Sequence, residues 1–183
     1  MRNRSRVRAA VVTLGILAIL TPAACSVSIE GDPAPDPVPE TVDLTTPPAP
    51  ADLGLDVDDD ATVVLESDPP VEATVLLPGA SFTMPTATLT VSVTDGVVVD
   101  PVLGDTGQLD LGAVEEAFRG VLADLAQPAS VADEFVTAAT TADADQVTSP
   151  WVNLVFGDTA VGIRAEYDPR STHGRVIYSV TWD

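Results

Sequence analysis

Residues 151–183 read WVNLVFGDTAVGIRAEYDPRSTHGRVIYSVTWD. Val152, Leu154 and Phe156 alternate with their neighbours, Gly157-Asp158-Thr159 turns the chain, and Val161, Ile163, Ala165 and Tyr167 alternate back. An apolar residue at every second position marks a strand with one buried face, because successive side chains leave a strand on opposite sides. Asp168 to Arg175 read as an eight-residue loop. Val176, Tyr178, Val180 and Trp182 then resume the alternation. The segment predicts a C-terminal three-stranded antiparallel meander.

Immediately upstream the period changes from two to near 3.6. Over 111–127, Leu111, Val114, Phe118, Val121, Leu122 and Leu125 share one helical face, while Glu115, Glu116, Arg119 and Asp124 share the other. Asp110 is positioned as the N-cap and Pro128 as the stop. Ser130 and Asp133 have the spacing of a capping box. Val131, Phe135, Ala138, Ala139 and Ala142 form the apolar face of a second helix. The helical middle thus spans about 111–142.

Further upstream the chain returns to strands. Thr62–Glu66 and Val71–Leu77 are β-branched runs separated by Ser67-Asp68-Pro69-Pro70, which reads as a turn. Leu89, Val91 and Val93 alternate with Thr90, Ser92 and Thr94, and Asp95-Gly96 predicts a tight hairpin into Val97-Val98-Val99. Antiparallel strands before and after a helical middle define an α+β domain over 61–183.

Composition sets the boundary. Residues 26–60 contain seven prolines and ten acidic residues, with no basic and no aromatic residue. Proline removes amide donors and like charges repel, so the segment reads as an extended, disordered acidic linker. At roughly 3.1 Å per residue, its 35 residues would reach at most about 110 Å.

The first 25 residues carry a different signal. Arg2, Arg4, Arg6 and Arg8 precede the twelve-residue apolar run AAVVTLGILAIL from Ala9 to Leu20. This run is too short to cross a bilayer as a helix but suits an export signal. Thr21-Pro22-Ala23-Ala24 then lead to Cys25, the one cysteine of the chain. Ala23-Ala24-Cys25 resembles the lipobox of bacterial lipoprotein signal peptides, although Pro22 stands where that class usually has a large aliphatic residue. The resemblance implies cleavage after residue 24, lipidation of Cys25 and anchoring on the extracytoplasmic face of the cell membrane. Residues 1–24 are then the signal peptide, and 25–60 the lipidated cysteine with its linker.

The charge and residue inventory excludes many functions. The chain has 28 acidic residues against eight arginines and no lysine, for a net charge of −20. Residues 61–183 carry 18 acidic residues and four arginines, a balance of −14 that repels nucleic acid. Without lysine there is no P-loop, no pyridoxal Schiff base and no Ser-x-x-Lys nucleophile. The run Asp56-Val57-Asp58-Asp59-Asp60 begins like a calcium loop, but Ala61 and Ser67 occupy its sixth and twelfth positions. Glycine and glutamate are required there. Asp143 and Asp145 begin another such loop, which fails at Val147. Neither a metal nor a cofactor is expected.

One cluster stands out. Arg164, Arg170 and Arg175 and the sole histidine, His173, fall within twelve residues, and every Trp and Tyr lies between 151 and 182. Arginine beside aromatics is the composition of an interface. These four residues are the candidate binding residues, with an envelope protein or an anionic envelope component as partner. The competing reading pairs the arginines with the domain's own carboxylates. The sequence therefore leads to a non-catalytic binding domain, monomeric, tethered to the membrane at Cys25. The alternatives are an extracytoplasmic hydrolase using carboxylates or His173, or a structural spacer of the envelope.

Overall fold

The computed structural model describes residues 36–57, 59–143 and 145–183; the signal segment, Cys25 and the first part of the linker lie outside the described residues. The architecture is α+β, a curled mixed sheet with two helices on one face. Its strands are β1 (Thr41–Asp43), β2 (Ala61–Leu77), β3 (Ala80–Thr94), β4 (Val97–Asp105), β5 (Val147–Thr148), β6 (Val152–Phe156), β7 (Thr159–Asp168) and β8 (His173–Trp182). The order across the sheet is β1-β2-β3-β4-β8-β7-β5, with β6 also paired to β7. Among the described residues only β1 and β2 run parallel.

β2 and β3 form one long hairpin around Pro78-Gly79, where Gly79 takes φ 76°. The turn expected at 67–70 is instead a bulge within β2, between Glu66 and Val71. Pro69 and Pro70 cannot donate ladder hydrogen bonds, and a bulge is where a strand tolerates them. Asp95-Gly96 does make the predicted hairpin, with φ 51° and 72° at its two residues, the positive pair that a tight two-residue turn requires. At the C-terminus the antiparallel meander is present, but its second connection is tighter than expected. β7 and β8 pair continuously to Asp168 opposite His173, so four residues rather than eight make the turn. His173 and Arg175 therefore stand on a strand.

The helices are α1 (Leu111–Asp124) and α2 (Ser130–Thr141). The Asp110 carboxylate accepts the Ala113 amide at 2.9 Å, the predicted N-cap. Val114, Phe118, Val121 and Leu122 are buried against the sheet, where α1 meets β3, β7 and β8. The Ser130–Asp133 capping box does not form. Ser130 is already helical, Ala129 occupies the cap, and Asp133 is drawn instead to Arg119 of α1 at 2.6 Å. Arg119 also pairs with Glu115 at 2.8 Å, and these two carboxylates raise its pKa. Phe118 and Phe135 pack edge to face beneath this bridge, ring centroids 6.0 Å apart.

The larger correction concerns the linker. Residues 36–57, read as part of an extended stalk, belong to the domain. Val38, Val42, Leu44, Leu53 and Leu55 are buried with the core, and the Thr74 amide donates to the Glu40 carbonyl at 2.9 Å. Each apolar side chain of this size contributes roughly 1.5–3 kcal/mol when fully buried, enough to hold a proline-rich segment on a sheet edge. The curl brings the last strand to this segment, where the Trp182 indole N–H donates to the Leu44 carbonyl at 3.2 Å. Asp60, from the acidic run, receives the Asp95 amide at 3.0 Å and caps the β3–β4 hairpin. Among the described residues no helix is long and apolar enough to cross a membrane.

Candidate functional site

The predicted cluster lies on and beside the β7–β8 hairpin. Glu166 and Arg175 are direct cross-strand partners. Arg175 Nε donates to Glu166 Oε2 at 3.1 Å, and Arg164 Nη2 pairs with Glu166 Oε1. Glu166 is only 5% exposed. A carboxylate this far from water is retained when opposite charges and hydrogen bonds replace its hydration, and two guanidiniums do so here. Arg175 also approaches Asp105 Oδ2 at 3.9 Å. Asp105 is itself fixed at the end of β4, accepting from the Thr88 hydroxyl at 2.8 Å and the Gly107 amide at 2.7 Å.

The alternation of β7 explains why Arg164 and Glu166 share a face, since residues two apart project the same way. On that face the Arg164 guanidinium lies 4.6 Å over the Trp151 ring. Stacking of this kind stabilises a cation without hydrating it. Two of the three clustered arginines are therefore held by the domain's own groups. Arg170 differs: its side chain is 70% exposed, and among the described residues its one ion pair, to Asp145, is 4.0 Å long and solvated. Such a pair holds the side chain weakly. His173 is also exposed, with Nδ1 against the Ser171 carbonyl rather than the Ser171 hydroxyl. That hydroxyl donates to the Asp168 carbonyl, not to the His173 ring.

Beside the hairpin opens a cleft of about 230 Å³, whose walls include Asp105, Gln108, Gln146, Tyr167, Asp168 and Arg175. One wall is built by backbone. After β4 the chain runs along the start of β8, and Leu109 and Gly174 exchange amide-to-carbonyl hydrogen bonds of 2.8 Å. Gly174 is required there, because a Cβ would strike the Glu166 carbonyl and Tyr167. Asp105, Gln108 and Gln146 escaped the sequence reading: they are remote in sequence, and only the strand order brings them to this hairpin.

Behind the cleft, Tyr178 is fully buried and, among the described residues, its hydroxyl has no hydrogen-bond partner. Burial raises its pKa, with a smaller contribution from the Asp105 charge. A second groove of about 310 Å³ runs between α1 and the β2–β3 hairpin, lined by Ala113, Ala117, Gly120 and two glutamates, Glu72 and Glu116. It holds no basic side chain. Among the described residues no three His, Cys, Asp or Glu side chains converge as a metal site. No family model, curated protein or solved structure matches this chain.

Proposed function

We propose that the chain is a lipid-anchored extracytoplasmic protein whose domain binds a partner protein, without catalysis, through the β7–β8 hairpin and the cleft beside it. One observation carries the reading: exposed Arg170 and His173 project at the hairpin tip, beside a cleft whose one arginine, Arg175, is already paired with Glu166. The cleft's own carboxylates, Asp105, Glu166 and Asp168, outnumber Arg175. This balance favours a polar protein surface over a small anion, for which free guanidinium groups would be needed. The commitment of Glu166 to two arginines also argues against paired carboxylates doing acid–base chemistry.

Anchoring rests on the lipobox resemblance at Cys25. Ten residues separate Cys25 from residue 36. Fully extended they span at most about 36 Å, so the tether is short. Replacement of Cys25 by alanine should move the protein from the membrane fraction to the soluble one. The contact is tested by placing a photo-reactive residue at Thr172 in living cells, with Thr137 on α2 as control. Thr172 is exposed and has φ 59°, so an unbranched replacement adds no strain to a position already held by a β-branched residue. A discrete protein adduct from Thr172 alone supports the reading. Equal adducts from both positions, or none, would contradict it.

A further inference from the structure

We infer that β6 is the self-association edge of this domain, joining a second copy by antiparallel strand pairing. The sheet treats its edges differently. β1 is three residues long, flanked by Glu40, Pro39 and Pro47-Pro48, and the carbonyl of Leu44 just beyond it is taken by Trp182. The uncovered start of β2 is preceded by Asp56, Asp59 and Asp60 and followed by Glu66 and Asp68. Charges and prolines of this kind block edge-to-edge pairing. β6 itself, Val152–Phe156, contains neither a charge nor a proline. From Gln146 to Gly157 the chain contains no charged residue, in a protein with 28 acidic side chains. Among the described residues, the backbone of β6 pairs with β7 alone, leaving its other side open.

The side chains say which strand fits. Val152, Leu154 and Phe156 pack partly against the core, while Trp151 and Val155 on the opposite face are 40% and 72% exposed. A two-fold axis at Leu154 would set Leu154 against its own copy and Val152 against Phe156. The half-buried apolar row of one sheet would then continue into the other, as an isologous interface demands. The same register sets Trp151 of one copy opposite Gly157 of the other. Glycine leaves room for the indole. An acidic strand from elsewhere would lack this apolar match, and a basic one would find no carboxylate along the strand itself. A second copy satisfies both ends of the edge.

Five residues of pairing make a small interface, so the dimer should be weak and concentration-dependent. The test is sedimentation velocity of the purified full chain over about 1 to 500 µM, with reductant present so that Cys25 cannot bridge two copies. The expected result is a monomer-to-dimer shift that Val155→Lys abolishes and Val97→Lys leaves intact. Both positions are exposed, and circular dichroism checks that each variant is folded. A native chain that stays monomeric throughout overturns the inference. So does a dimer that survives Val155→Lys, which would place the contact elsewhere, or one lost equally in both variants. Capture of another protein's strand by a chain that is monomeric alone would also overturn it.

Discussion

Replacing Glu166 by glutamine tests whether the charge network organises the candidate site. Glutamine keeps the shape and one acceptor oxygen but removes the charge that Arg164 and Arg175 share. Hydrogen bonds to charged groups contribute about 1.5–3 kcal/mol each, and breaking a fully buried ion pair costs about 3–5 kcal/mol. Neither figure applies undiminished, because the Arg164 and Arg175 side chains are 31% and 48% exposed and can recover water. The discounted expectation for Glu166→Gln is a loss of about 2 kcal/mol. For a domain of this size that lowers Tm by roughly 4–8 °C. Urea unfolding followed by tryptophan fluorescence reads it, with an unchanged m-value showing that the denatured state is not altered. A double-mutant cycle with Arg175→Met should return a coupling of about 0.5–2 kcal/mol. Stability within about 0.5 kcal/mol of the native chain, or zero coupling, would refute the claim that this charge network organises the site.

Other perturbations follow from the same packing. Leu44→Ala should cost about 2–5 kcal/mol in thermal or urea unfolding, since Leu44 is fully buried; a neutral result would return this segment to the linker. Asp110→Ala should cost about 1 kcal/mol and fray the start of α1, visible as faster amide exchange at Ala113. Tyr178→Phe removes a buried, unpartnered hydroxyl and should raise stability by about 1 kcal/mol, whereas a loss would reveal a partner. Because the folded pKa of Tyr178 lies above its unfolded value, its contribution is complete below about pH 10 and is lost as pH rises further. Phenolate absorbance followed alongside circular dichroism should show one tyrosine that ionises only as the chain unfolds.

The parts of the fold legible in the sequence are those whose burial is periodic. The apolar positions Leu111, Val114, Phe118, Val121 and Leu122 of α1 and the alternating residues of β6, β7 and β8 needed no knowledge of their partners. The 67–70 segment misled because Pro-Pro normally punctuates structure, and only the pairing of β2 with β3 shows that a bulge absorbs it. Ahead of the alternation at 89–93, Pro78-Gly79 turns the chain and Phe82, Met84 and Thr86 point inward along the first half of β3. Residues 36–57 misled for a different reason. Their prolines and charges describe a chain unable to collapse on itself, yet Val42 and Leu44 need only an existing sheet to bury against.

The candidate site was legible to a similar degree. Arg164, Arg170, His173 and Arg175 do gather at one hairpin, because the hairpin is local in sequence. What the arginines do there was not legible. Asp105 lies on β4, whose neighbour β8 arrives only after both helices, so its approach to Arg175 depends on the sheet order. The near-complete burial of Glu166 depends on β5 and β8 flanking β7. Charge alone could not separate an interface arginine from one held internally; the paired guanidiniums of Arg164 and Arg175 and the exposed one of Arg170 make that distinction.

The most direct test of the binding role is therefore quantitative crosslinking from Thr172 in cells carrying either the native chain or Arg170→Glu. The Arg170 side chain is 70% exposed and its pair with Asp145 is solvated, so the charge reversal should leave the fold intact. Loss of most of the Thr172 adduct on reversal, with protein level unchanged, is the predicted result. An adduct of undiminished yield would contradict the account, for the hairpin's exposed cation would then play no part in the contact.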